Sequence, residues 1–126
     1  MEKTNKKILI VEDDKSFLWI LKQSFTEEGF MVSFATDGQR GLDAAEREKP
    51  DLIILDILMP KVDGITLARE LRKKGISSPI IFLTNLKDTE HIGEAVELGE
   101  GTDYVVKSDI HIDQIIEMVK KKLGAK

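Results

Sequence analysis

The chain has 126 residues, 41% of them apolar and 33% charged, with a net charge of −4 and no cysteine. That is one compact domain with enough apolar side chains for a core, and it excludes disulfides, zinc–thiolate sites and cysteine nucleophiles. The acidic balance argues against nucleic acid as a direct partner, and no apolar run approaches the ~20 residues of a membrane span.

In chain order, residues 1–7 are rich in lysine but lack the apolar core of a signal peptide, so a cytoplasmic protein is expected. Ile8-Leu9-Ile10-Val11 reads as a strand buried on both faces, as in a parallel sheet, and it runs into Glu12-Asp13-Asp14. A helix is expected over 16–28, with Asp13 or Asp14 able to cap it. Counting from Asp13, its inward positions are Phe17, Ile20, Leu21 and Ser24. Leu18 and Trp19 then face outward as an adjacent apolar pair, a candidate partner contact. A second strand falls at 32–35 and a second helix at 39–48, bounded by Gly38 and Pro50. The run Asp51-Leu52-Ile53-Ile54-Leu55 is a third buried strand, closed by Asp56. A helix over 65–74, a strand over 80–83 ending in Thr84, a helix over 89–98 and a strand over 104–106 ending in Lys107 follow. The last helix, 112–123, puts Ile112, Ile115, Ile116, Val119 and Leu123 on one face. Lys120, Lys121 and Lys122 read there as solvating charges that offset the helix dipole.

Strict strand–helix alternation implies an α/β fold with a parallel sheet and right-handed crossovers. In such sheets ligands bind beyond the carboxyl ends of the strands. Asp56 and the pair Glu12 and Asp13 end two of those strands, so one rim collects carboxylates, a pocket suited to a hard cation. Thr84 and Lys107 end two more. Taken singly, each has a plainer meaning. Asp14 caps a helix, Thr84 is a β-branched strand residue, Lys107 is a solvated strand end and Tyr104 is an edge aromatic.

Together they carry a resemblance. Ile8-Leu9-Ile10-Val11-Glu12-Asp13-Asp14, Leu55-Asp56-Ile57-Leu58-Met59-Pro60-Lys61-Val62-Asp63-Gly64, Ile81-Phe82-Leu83-Thr84 and Asp103-Tyr104-Val105-Val106-Lys107 resemble, in order and spacing, the CheY-like receiver domains of two-component response regulators. The resemblance covers nearly the whole chain. It implies a flavodoxin-like (βα)5 fold, doubly wound, with strand order 2-1-3-4-5, as one receiver domain over 1–126 with a core of about 7–123. It implies that Asp56 is the phosphoacceptor. Glu12, Asp13, Asp56 and the backbone carbonyl of Leu58 would hold Mg²⁺ or Mn²⁺, and Thr84 and Lys107 would bind the phosphoryl group. Tyr104 would act with Thr84 as a switch that repacks the face formed by the fourth helix, fifth strand and fifth helix. Asp14, Leu58, Asn85 and Leu86 would modulate the site, the two leucines by shielding an acyl phosphate from water. The implied partners are a sensor histidine kinase or histidine phosphotransfer protein and a downstream output protein or domain. The module would be no enzyme beyond its own phosphoryl transfer and dephosphorylation. With no helix-turn-helix after residue 123, a stand-alone receiver and the receiver of a longer regulator both remain open.

The chain departs from the family pattern at Asn85, where a small residue is usual, and at Ser108, where proline is usual. With serine there, a trans Lys107–Ser108 bond is expected, with Ser108 as a candidate cap of the last helix. Two other classes share features of this chain. A flavodoxin-type cofactor binder needs a phosphate cradle after the first strand, and Glu12-Asp13-Asp14 would repel the anion. An aspartyl-phosphate phosphatase usually carries a second Asp two residues after its nucleophile, where this chain has Leu58.

Overall fold

Apolar side chains on both sides of a strand need a layer of helices on both sides of the sheet, and the chain builds this sandwich. The computed structural model describes residues 6–59, 62–84 and 102–124, the side chains of Thr84 and Asp109 excepted. Five strands, β1 (Lys7–Val11), β2 (Met31–Ala35), β3 (Leu52–Asp56), β4 (Ile80–Thr84) and β5 (Thr102–Val106), form one parallel sheet in the order 2-1-3-4-5. Helices α1 (Lys15–Glu27), α2 (Gly38–Glu48) and α3 (Gly64–Lys73), and a last helix (Ile112–Leu123), cover it. The doubly wound α/β architecture expected from the sequence is therefore present. The helix expected at 89–98, with Asn85 and Leu86 before it, lies outside the described residues.

Alternate strand residues point to opposite layers. Leu9, Val11, Ile53, Leu55, Ile80 and Phe82 meet α2 and α3 through Ala44, Leu67, Ala68 and Leu71. Ile8, Ile10, Leu52, Ile54, Ile81 and Leu83 meet Leu18, Leu21 and Phe25 of α1 and Ile115, Ile116 and Val119 of the last helix. Two of the three lysines of that last helix form ion pairs: Lys120 with Glu28 at 2.5 Å and Lys122 with Asp103 at 2.6 Å. The helix is capped by His111, whose N–H donates to Gln114 Oε1 at 2.8 Å, and not by Ser108. Ser108 belongs instead to a short 3₁₀ turn, Lys107–Asp109. No peptide bond among the described residues is cis, so Lys107–Ser108 is trans as expected.

The inward face of α1 differs from the sequence count. Leu18 is buried, whereas Trp19 is 61% and Ile20 46% exposed. The outward placement of Leu18 and the inward placement of Ile20 are both corrected. Five consecutive apolar residues, Phe17-Leu18-Trp19-Ile20-Leu21, admit more than one helical stripe, so the pattern alone does not set the phase. The sheet decides. Leu18, Leu21 and Phe25, spaced three and four apart, drop into the surface made by Ile8, Ile10 and Ile54. Phe17 then turns toward the carboxyl rim. Leu18→Ala is therefore expected to cost about 2–4 kcal/mol, and Ile20→Ala less than about 0.5 kcal/mol. Urea unfolding of the two variants checks this; the reverse order would mean that the helix is rotated by one position.

Candidate functional site: an acidic pocket at the carboxyl rim

Register brings the strand ends together. Val11 lies beside Leu55, Asp56 beside Leu83, and Thr84 beside Val106, so the residues that follow share one rim. Backbone bonds extend the sheet just past its strands: Glu12 N–H donates to Ala35 O at 3.0 Å and Ile57 N–H to Leu83 O at 3.0 Å. Glu12, which follows the buried run Ile8-Leu9-Ile10-Val11, is itself fully buried, and Asp56 is 5% exposed. Asp13 is exposed at the mouth. One carboxylate oxygen from each of Glu12, Asp13 and Asp56 lies within 4.8 Å of the others.

Gly64 sets the back of this pocket. Its N–H donates to Ile57 O at 2.7 Å, and a Cβ at this position would collide with the Asp56 carbonyl oxygen and come 2.9 Å from Ile57 Cα. Glycine is what lets the first turn of α3 close against the end of β3. Asp63 caps that helix by accepting from Thr66 N–H at 2.8 Å.

Lys107 is the counter-charge. Its Nζ lies 2.6 Å from Glu12 Oε1 and 3.5 Å from Asp56 Oδ2, with 9% of the side chain exposed. The Glu12 contact is an ion pair without hydrogen-bond alignment, since Glu12 Oε1 has no aligned donor. Its other oxygen, Oε2, accepts from Asp14 N–H at 3.0 Å. Asp14 caps α1, its Oδ1 accepting from Ser16 N–H at 3.0 Å and Phe17 N–H at 3.2 Å. Of the two candidate caps for α1 the structure thus selects Asp14.

One lysine cannot neutralise three carboxylates. Burial, then the hydrogen bond and charge of Glu12, push the Asp56 carboxyl from 3.8 up to about 8, with Lys107 opposing and Asp13 adding to the rise. Buried surplus negative charge of this kind fits a divalent cation, which would hold Asp56 ionised at neutral pH. The Glu12, Asp13 and Asp56 cluster could hold one.

Other expected site residues are placed less centrally. Leu58 is 44% and Tyr104 38% exposed, Tyr104 lying beside Phe82 in the sheet register. Thr84 closes β4 by its backbone. Sequence reasoning missed one contact: the Phe17 ring lies under Lys107 Nζ, 4.7 Å from its centroid. Phe17 looked like an ordinary core position, and no local signal couples it to a lysine ninety positions later.

Fold and rim define a doubly wound α/β module with a buried acidic pocket and one lysine. The chain belongs to the family of response regulator receiver domains, whose model matches residues 8–120. It is 34% identical to sporulation initiation phosphotransferase F of Bacillus subtilis over 97% of both chains. It is 41% identical to the alkaline phosphatase synthesis transcriptional regulatory protein PhoP of the same species, over 82% of this chain but 42% of that one. It thus spans less than half the length of that regulator. The receiver domain of the Francisella response regulator 1452 superposes with a TM-score of 0.86 at 35% identity, covering 95% of this chain and 98% of that one. Phosphorylation-dependent signalling in a two-component system is thereby the broad role of the chain, as a signalling module. No helix among the described residues is long and apolar enough to cross a membrane.

The raised Asp56 carboxyl makes stability depend on pH in a defined sense. A carboxyl raised in the folded state favours folding below about pH 4 and loses that contribution as pH rises through about 8. In EDTA, Asp56→Asn should therefore gain on the wild type between pH 5 and 8, reaching on the order of 2 kcal/mol. Mg²⁺ should narrow the gap by stabilising the wild type alone. Thermal unfolding against pH, with and without Mg²⁺, checks both signs; a gap that does not change with pH would contradict them.

Proposed function

We propose that Asp56 is the phosphoacceptor of this receiver, taking its phosphoryl group from a histidine kinase or a histidine phosphotransfer protein. The observation that carries this is the burial of Asp56 beside two other carboxylates and Lys107 on one rim. Residues 1–126 act as one domain with a core of about 7–123. A carboxylate oxygen of Asp56 attacks phosphorus, the bond to the donor's leaving atom breaks, and that atom keeps the electron pair. The product is an acyl phosphate. A divalent cation, Mg²⁺ or Mn²⁺, supplies the positive charge that offsets repulsion between carboxylate and phosphoryl oxygens. Asp13 would hold it directly, Asp56 and the Leu58 carbonyl would complete the protein ligands, and Glu12 would act through water. Lys107, already 2.6 Å from Glu12 and 3.5 Å from Asp56, turns its charge to a phosphoryl oxygen on Asp56. Catalysis of this kind is positioning plus charge stabilisation.

Signalling then follows from charge. The phosphoryl group adds about −1.5 to −2 charge to the rim. Thr84 answers it with its hydroxyl, Tyr104 turns inward behind Thr84, and the face around β5 and the last helix repacks as a population shift. The name of the phosphotransferase relative supports the transfer chemistry, and that of the regulator relative supports a downstream output. Trp19, 61% exposed with Ile20 beside it at 46%, forms an apolar patch on α1, the helix next to the pocket, and is the docking element for the phosphodonor protein.

Two measurements test this. With Mg²⁺ and acetyl phosphate, intact-mass spectrometry should show one added phosphoryl group on the wild type and none on Asp56→Asn; equal labelling would overturn the assignment. Trp19→Ala should keep acetyl-phosphate labelling and unfolding temperature while weakening transfer from the donor kinase about tenfold or more, as for an interface anchor. Unimpaired transfer would remove Trp19 from the interface.

A further inference from the structure

Phe17 lies outside the set of residues that hold metal or phosphate, yet it closes a ring of contacts around them. Lys107 Nζ pairs with Glu12 Oε1 at 2.6 Å, Glu12 Oε2 accepts from Asp14 N–H at 3.0 Å, and Asp14 Oδ1 accepts from Phe17 N–H at 3.2 Å. The Phe17 ring returns to Lys107, its centroid 4.7 Å from Nζ. The first turn of α1 is thus bolted to the acidic loop, and its aromatic ring is aimed at the ammonium by that attachment.

The ammonium has three N–H bonds and little water, its side chain being 9% exposed. Glu12 and Asp56 occupy two of its sides, and the π face of Phe17 takes another. A ring face carries negative potential, so it can hold a desolvated cation where an aliphatic side chain of equal volume cannot. It does so without the full charge of a further carboxylate, which would repel an incoming phosphoryl group. We infer that Phe17 is a positioning residue for phosphoryl transfer, its ring holding the Lys107 ammonium at the rim, between Glu12 and Asp56, where a phosphoryl oxygen will arrive. The inference rests on Asp56 being the phosphoacceptor. It adds no step to the transfer. Asp56 oxygen still bonds to phosphorus, acetate still leaves acetyl phosphate with the bonding pair, and no proton moves through the ring.

The test compares wild type, Phe17→Leu and Phe17→Trp in the full chain. Leucine keeps the apolar contact and loses the π face, while tryptophan keeps both. In ¹H–¹³C spectra the Lys107 ε-methylene should be shifted upfield by the ring current in the wild type and Phe17→Trp, and lie at its ordinary position in Phe17→Leu. With saturating Mg²⁺ and acetyl phosphate, Phe17→Leu should label Asp56 about three- to thirtyfold more slowly at saturation, the range of a desolvated cation–π contact. Its Mg²⁺ affinity should be unchanged, its unfolding temperature should fall by no more than the loss of this one contact, and Phe17→Trp should restore the rate. Wild-type labelling kinetics in Phe17→Leu, equal slowing in both variants, or an unshifted Lys107 in the wild type would each overturn the inference. Equal labelling of wild type and Asp56→Asn would instead overturn the phosphoacceptor reading, and the Lys107 shift would still report whether the contact exists.

Discussion

The constraint on which this structure depends is a surplus of negative charge at the end of a buried sheet. Glu12 is fully buried, Asp56 nearly so, and Asp13 stands at the mouth. A buried ionised group is expensive unless it is paired, and Lys107 brings one positive charge to two buried carboxylates. It chooses Glu12, at 2.6 Å against 3.5 Å for Asp56. Burial, then the neighbouring Glu12, raise the Asp56 carboxyl to about 8 against the opposing charge of Lys107. The rim is therefore short of positive charge around Asp56, which favours a bound cation beside Lys107.

Such a shortage survives only if the surroundings are rigid enough to enforce it. Apolar strands packed on both faces supply that rigidity, because no strand can slide or turn over without exposing a layer of Ile, Leu and Val. Helix ends tighten it locally. Asp14 and Asp63 cap α1 and α3 at the rim, and Gly64 lets α3 approach the Asp56 backbone more closely than any other residue would permit. Rim strain and core stability are thus separate terms. The core holds the fold together while the rim remains electrostatically unsatisfied, as sites built for chemistry commonly are.

This division explains how a small covalent event can carry a signal. In the proposed reaction, a phosphoryl group on Asp56 would give Lys107 a second anionic partner besides Glu12 and would change the charge at one end of β3, in front of the packed layers. Any response must then be taken up where the packing is looser. Tyr104 on β5 is 38% exposed, and the strand's outer residues are only partly covered. The last helix is tied to its neighbours by surface ion pairs through Lys120 and Lys122, contacts that contribute little singly and can be exchanged at little cost.

Much of this was legible along the chain. Continuous apolar runs such as Leu52-Ile53-Ile54-Leu55 identify strands covered on both faces, and a carboxylate such as Asp56 at the end of such a run already marks the rim. Parallel alternation, the capping acids and the punctuating glycines are equally local. The phase of α1 was not legible. Five apolar residues in a row fit several stripes, and only the surface offered by Ile8, Ile10 and Ile54 selects Leu18 over Ile20. The cap of the last helix passed to His111 because Lys107–Asp109 turn into a 3₁₀ segment that no residue propensity announces. The partners of Lys107 were out of reach for the same reason. Glu12, Asp56 and Phe17 are far from it in sequence, and which of them an ammonium touches depends on distances that differ by less than 1 Å between the first two. Residue order determined the layers and the rim, since periodicity and strand ends are local properties. Tertiary packing decided which carboxylate lies closest to Lys107 and how far burial raises Asp56, since both rest on long-range distances and shared burial.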